Sequence, residues 1–142
     1  MRRFESTPSV WLQMPSGRPL DTWVAESLAV RLLGLAWLRR LPAGRALLLP
    51  SCRSIHTMAM RFPIDVAFIS WPPAGLACEV LALEVALPPL RVLAPRALRH
   101  RRVAAIEAGA RTLRGLGVAP GEHLLLERAP DILEIRGGFA AS

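Results

Sequence analysis

The sequence predicts a mainly β (α+β) domain: a small β-barrel or β-sandwich of short strands. One main helix is expected over about 28–40 and one short helix over about 109–116. Six to eight short apolar or alternating runs are separated by Pro- and Gly-bearing turns, the pattern of an all-β core. Only one longer stretch repeats at helical spacing. Strands and helices do not alternate along the chain, so a doubly wound parallel sheet is not expected.

Each element has a local cause. Val10-Trp11-Leu12-Gln13 and Leu20 to Ala25 read as a hairpin about the turn Pro15-Ser16-Gly17-Arg18, where Pro presets φ and Gly accepts positive φ. Leu20, Thr22 and Val24 share one face of the second strand. Ser27 is placed as an N-cap, and Leu28, Leu32, Leu35 and Leu38 form a helical stripe. Arg39 and Arg40 suit the negative end of that helix, and Pro42 and Gly44 close it. Gly34 falls inside it at a cost of about 1 kcal/mol relative to Ala, which a close approach to a strand would offset. Ala46 to Leu49, Ile64 to Ile69, Leu76 to Ala86, Val103 to Glu107 and His123 to Glu127 read as strands. The Pro- and Arg-rich stretch from Leu87 to Arg102 reads as loop, and Ile132, Leu133 and Ile135 as a further edge strand.

At 142 residues the chain is read as an N-terminal extension (1–9), a single domain (10–127) and a C-terminal tail (128–142). Apolar residues make up 52%, enough for a real core, and no apolar run approaches the ~20 residues that span a bilayer. The basic N-terminus lacks the apolar segment of a signal peptide, so a soluble, cytoplasmic bacterial protein is expected. The net charge of +7 comes from 18 Arg and no Lys, and Asn and Tyr are also absent. A lysine Schiff base, a P-loop lysine and a catalytic tyrosine are thereby excluded. Cys52 and Cys78 have no neighbouring cysteine, which excludes a zinc ribbon or a CxxC pair. Free thiols are expected, with a Cys52–Cys78 bridge left open.

The stretch from Cys52 to Asp65 is the richest in chemistry. It carries Cys52, Arg53, Ser54, His56, Thr57, Arg61 and Asp65, then runs into an apolar strand. Four blocks extend the pattern: Ala25-Glu26-Ser27 with Arg31-Leu32-Leu33-Gly34-Leu35; Leu41-Pro42-Ala43-Gly44 with Ala46 to Leu49; Ile55-His56-Thr57 through Pro63 to Ile69; and Ile106-Glu107-Ala108-Gly109 with Gly117-Val118 and Pro120-Gly121-Glu122. In this order they resemble domain-of-unknown-function family 192, over about residues 10–127. The resemblance implies a small, β-rich, single-domain fold and no established reaction. His56-Thr57 stands where the family commonly has Trp-Met, and Ala59-Met60 where it has Asn-Thr, so no role of those residues carries over. The Cys-Arg-Ser-Ile-His-Thr wording reads as a subgroup.

Three functional readings follow. The preferred one is a non-catalytic binding or accessory module, its polar pocket lined by Arg53, Ser54, His56, Thr57, Arg61 and Asp65. Its partner would be a small polar or anionic ligand or a protein. The second is a hydrolase-type enzyme with Cys52 as nucleophile, His56 as base and Asp65 orienting it, which needs a turn to bring Cys52 and His56 together. The third is contact with an anion or nucleic acid through Arg91 to Arg102, which holds five arginines and no acid. That stretch has no aromatic interleaving, so nucleic acid is not the expected partner. Asp65 sits between Ile64 and Val66, where a bare carboxylate is costly. Its plainer role is to tie down the loop, with Arg31, Arg53, Arg61 or backbone N–H groups as partners. His56, His100 and His123 show no ligand spacing, so no metal or cofactor is expected.

Overall fold

Gly17, at φ +91°, reverses the chain between strands β1 (Ser9–Gln13) and β2 (Pro19–Val24), with Met14 and Arg18 closing the turn at 2.9 Å. The computed structural model describes residues 4, 7–25, 30, 34–36, 38–42 and 44–127. Seven further strands follow: β3 (Arg45–Leu49), β4 (Ile55–His56), β5 (Ile64–Ser70), β6 (Ala77–Leu87), β7 (Val92–Leu93), β8 (Val103–Gly109) and β9 (His123–Leu126). Seven of these strands close a barrel in the order β1-β2-β3-β8-β5-β6-β9, with β9 returning to pair with β1. The fold is therefore a barrel, not an open sandwich. Strands β4 and β7 form a separate two-stranded ribbon.

Side-chain alternation divides the apolar residues into two clusters. Leu12, Leu20, Val24, Ala46, Leu48, Ala67, Ile69, Val80, Ala104, Ile106, Leu124 and Leu126 fill the interior. The alanines stand among leucines and isoleucines, as a narrow barrel requires. Trp23, Leu47, Leu49, Ile64, Val66, Phe68, Val103 and Ala105 point the other way and form a second cluster on the outer wall. Phe4, Val30, Leu35, Ala36, Ile55, Met60, Leu87 and Leu98 cover it. Strands β5 and β8 are thus buried on both faces, which explains why they read as nearly continuous apolar runs. Phe4 stacks on Trp23 at 4.2 Å between ring centroids.

Topology places the outer covering. The β2–β3 pair is parallel, so a crossover must link its strands, and Val30, Leu35 and Ala36 between them pack on the outer wall. The expected helix over 28–40 is corrected at its second half. Val30 is helical and its carbonyl accepts the Gly34 N–H at 2.8 Å, but Gly34 takes φ +52° and residues 34–36 form a turn. A left-handed glycine ends a right-handed helix. Residues 38–42 are not helical, and residues 28, 29, 31–33 and 37 lie outside the described residues. The close approach expected of Gly34 is present: a Cβ there would sit 3.2 Å from Glu107 Oε1 and 3.8 Å from Leu47. The short C-terminal helix forms as α1 (Thr112–Gly115), while the expected edge strand at 132–135 lies outside the described residues.

Candidate functional site

The stretch read as loop from Leu87 to Arg102 contains strand β7, which pairs antiparallel with β4: Ile55 opposite Leu93, His56 opposite Val92. Two chemically rich segments, separate in sequence, thus become one ribbon. A two-residue strand has no periodicity to read, which is why β7 was not legible. Ile55 is buried and Leu93 packs beside it against the outer cluster, so His56 and Val92 face solvent.

Thr57 holds the ribbon together. It is fully buried, and its Oγ1 donates to the Pro88 carbonyl and accepts the Arg91 N–H, each at 2.8 Å. Its own N–H donates to the Arg91 carbonyl at 2.8 Å, and its carbonyl accepts the Leu90 and Met60 N–H groups. Four further contacts anchor the ends. The Cys52 N–H donates to the Val103 carbonyl at 2.8 Å, and the Arg53 guanidinium donates to the Arg99 carbonyl. Leu98, in a single 3₁₀ turn (Arg96–Leu98), and Met60 are buried in the outer cluster.

The solvent side is basic. Residues 52–62 and 88–102 together hold Arg53, Arg61, Arg91, Arg96, Arg99, Arg101 and Arg102, with His56 and His100 and no acid. All nine are exposed. Three apolar side chains stand exposed among them: Met58 at 44%, Leu90 at 67% and Val92 at 68%. Sequence reasoning missed these three; the signal was a pair of apolar residues flanking Arg91 beside a Pro-Pro that cannot enter a central strand.

The residues expected to form a catalytic set each bond to backbone groups. The Cys52 thiol donates to the Ser54 carbonyl at 3.0 Å, and His56 Nδ1 accepts the Met58 N–H at 3.3 Å. Asp65 lies on the inner side of the wall, in the alternation of Ala67 and Ile69, away from the outer cluster that holds Ile55. Its Oδ1 accepts the Ala86 N–H at 2.9 Å and the Arg111 N–H at 2.7 Å. Its Oδ2 accepts the Leu113 N–H at 3.0 Å and the Arg114 N–H at 3.4 Å. Asp65 is therefore the cap of α1, whose own N-cap residue, Arg111, supplies no side-chain bond. The same carboxylate satisfies Ala86, left unpaired where β6 slips register against β5. Backbone N–H groups, not Arg53 or Arg61, are its partners. Arg31 lies outside the described residues.

Thus Arg53, Ser54, His56 and Arg61 are exposed on or beside the ribbon, while Thr57 and Asp65 are buried and bonded to backbone. Of the six residues read as lining a polar pocket, four are thus exposed on or beside the ribbon and two are buried. Cys78 is buried in the barrel interior, and burial pushes its thiol up to about 12. Cys52 and Cys78 are not bridged to each other: Cys52 packs against the outer wall and Cys78 in the interior. Glu107 is 5% exposed on the outer face of β8, where burial pushes its carboxyl from 4.5 up to about 7. Among the described residues, no three His, Cys, Asp or Glu cluster closely enough to hold a metal ion, and no helix is long and apolar enough to cross a membrane.

Two solved structures share this fold. A protein of unknown function from Novosphingobium aromaticivorans DSM 12444 aligns with a TM-score of 0.66 and 17% identity, covering 86% of this chain and 85% of its own. A proposed transcription regulator from Sinorhizobium meliloti 1021 aligns with a TM-score of 0.64 and 22% identity, covering 83% of this chain and 92% of its own. No curated protein matches the chain. The sequence matches the family described as DUF192, Uncharacterized ACR, COG1430, over residues 12–126. That span runs from within β1 to the end of β9 and takes in the ribbon, and the chain belongs to the DUF192 family.

Proposed function

We propose that this chain is a non-catalytic binding module whose contact surface is the β4–β7 ribbon and whose partner is polyanionic. One observation carries the reading: pairing of β4 with β7 brings together two segments that hold seven exposed arginines and no acid. Guanidinium groups present planar donor forks suited to phosphate and carboxylate. Hydrogen bonds from Thr57, the Cys52 backbone and the Arg53 side chain hold the two segments together before a partner arrives, which limits the ordering cost of binding. The separate engagements of Cys52, His56 and Asp65 favour the binding reading over the hydrolase one.

Retention on immobilised heparin, a generic polyanion, tests this. The wild-type chain is expected to bind at low salt and to elute as salt rises, since each neutralised anion releases counterions. A variant with Arg91→Ser, Arg96→Ser and Arg99→Ser should elute well before a control with Arg18→Ser, Arg111→Ser and Arg114→Ser, which removes equal charge from elsewhere on the barrel. Equal elution of the two variants would show that net charge, not the ribbon, governs binding, and would overturn the reading.

A further inference from the structure

We infer that the polyanion is a lipid surface: the ribbon docks this protein on membranes rich in anionic headgroups. The inference rests on the basic-face reading and adds the apolar side chains that reading leaves unused. Leu90 and Val92 are the two most exposed large apolar residues among those described, at 67% and 68%, and Met58 adds a third at 44%. All three belong to the ribbon and its turns: Met58 follows Thr57, and Leu90 donates its N–H to the Thr57 carbonyl. Leu90 holds φ +64° and Ala59 φ +62°, so both turns have fixed, uncommon backbone shapes. The apolar side chains are therefore held outward rather than free to fold back.

Exposed apolar side chains in segments rich in exposed arginine suit an interface between water and lipid. The side chains enter the acyl boundary while the guanidinium groups meet phosphate. Long arginine stems can also lie along the apolar layer with their heads in the headgroup zone. Two other occupants fit less well. A strand from an acidic peptide would need an edge to extend, and β4 and β7 are two residues each. A single-stranded nucleic acid would use stacking aromatics, and residues 52–62 and 88–102 expose no Phe, Trp or Tyr. Charge sets the choice of bilayer: seven arginines without an intervening acid favour an anionic leaflet over a zwitterionic one.

Vesicle co-sedimentation tests the inference with the full chain. The wild type should bind vesicles of phosphatidylcholine with phosphatidylglycerol and remain in solution with phosphatidylcholine alone. Leu90→Ser with Val92→Ser should reduce partitioning by roughly tenfold or more, because two inserted side chains are lost. The same variant should keep wild-type elution from heparin, which reads charge only. Leu125→Ser with Trp11→Ser, which also removes two exposed apolar side chains but from β9 and β1, should leave vesicle binding unchanged. The altered residues are exposed, so thermal unfolding of each variant should match the wild type. Retention on heparin without vesicle binding would overturn the lipid assignment while the polyanion reading stands, pointing to an acidic protein or a nucleic acid. Vesicle binding indifferent to Leu90 and Val92 would also overturn it. Loss of both heparin and vesicle binding would remove the inference together with the reading beneath it.

Discussion

Replacing Asp65 tests whether this residue is a structural cap. Its two oxygens accept three N–H groups at 3.0 Å or less and a fourth at 3.4 Å. Asp65→Ala strips the acceptors from Ala86, Arg111 and Leu113 in a site that is fully buried. Each orphaned buried donor costs about 1–3 kcal/mol, and water entering the vacated space recovers part of that. The expected loss is roughly 4 kcal/mol, a large share of the ~5–15 kcal/mol that holds a domain of this size. Asp65→Asn keeps the shape and one oxygen but loses the charge and half the acceptor capacity, for an expected loss of roughly 2 kcal/mol. Urea unfolding followed by tryptophan fluorescence measures both. Amide exchange should quicken at Ala86, Arg111 and Leu113 before other positions respond. An Asp65→Ala protein within about 1 kcal/mol of wild type would refute the capping argument.

Other substitutions separate the remaining roles. Thr57→Val removes two bonds of 2.8 Å from the ribbon, so the Arg91 amide should exchange faster and stability should fall by about 1–3 kcal/mol; unchanged exchange at Arg91 would contradict this. Glu107, raised to about 7, keeps its proton to higher pH in the folded state than in the unfolded chain. Its penalty is therefore absent below about pH 4.5, builds as pH rises toward about 7, and is then constant. Glu107→Gln should remove that decline, raising Tm at neutral pH but not at pH 4, by at most about 3 kcal/mol in stability; a pH profile parallel to wild type would refute it. Thiol labelling of the native protein should modify Cys52 slowly and spare Cys78 until unfolding, since Cys78 is buried and raised to about 12. Labelling of both at equal rates would contradict the barrel interior assigned to Cys78.

Local chemistry made some parts of the fold legible and long-range pairing hid others. The hairpin about Gly17 announced itself by alternation and turn residues, and the strands from Ile64, Val103 and His123 by short apolar runs, because those signals lie within a few positions of one another. Barrel closure requires β9 to pair with both β1 and β6, across much of the chain, and no local pattern encodes that choice. Asp65 was legible as a carboxylate that needs partners, since burying it bare is expensive. Three of its four partners are N–H groups of α1 and its N-cap, 46 to 49 positions away, and a helix of four residues gives too little periodicity to suggest them. Gly34 was expected to lie inside a helix because the leucine spacing continues past it. Its positive φ follows from the crossover geometry and its packing on Glu107, neither of which spacing records. Both halves of the basic ribbon stood out in the sequence, but as separate readings. Only the β4–β7 register joins them.

The most direct test of the ribbon as one binding surface is amide chemical-shift mapping by NMR during titration with a heparin oligosaccharide. Residues in 53–61 and 91–102 should shift along a single binding curve, while amides near Asp65 in α1 and along the β1–β9 wall stay in place. Shifts confined to one of the two segments, or centred away from both, would contradict it.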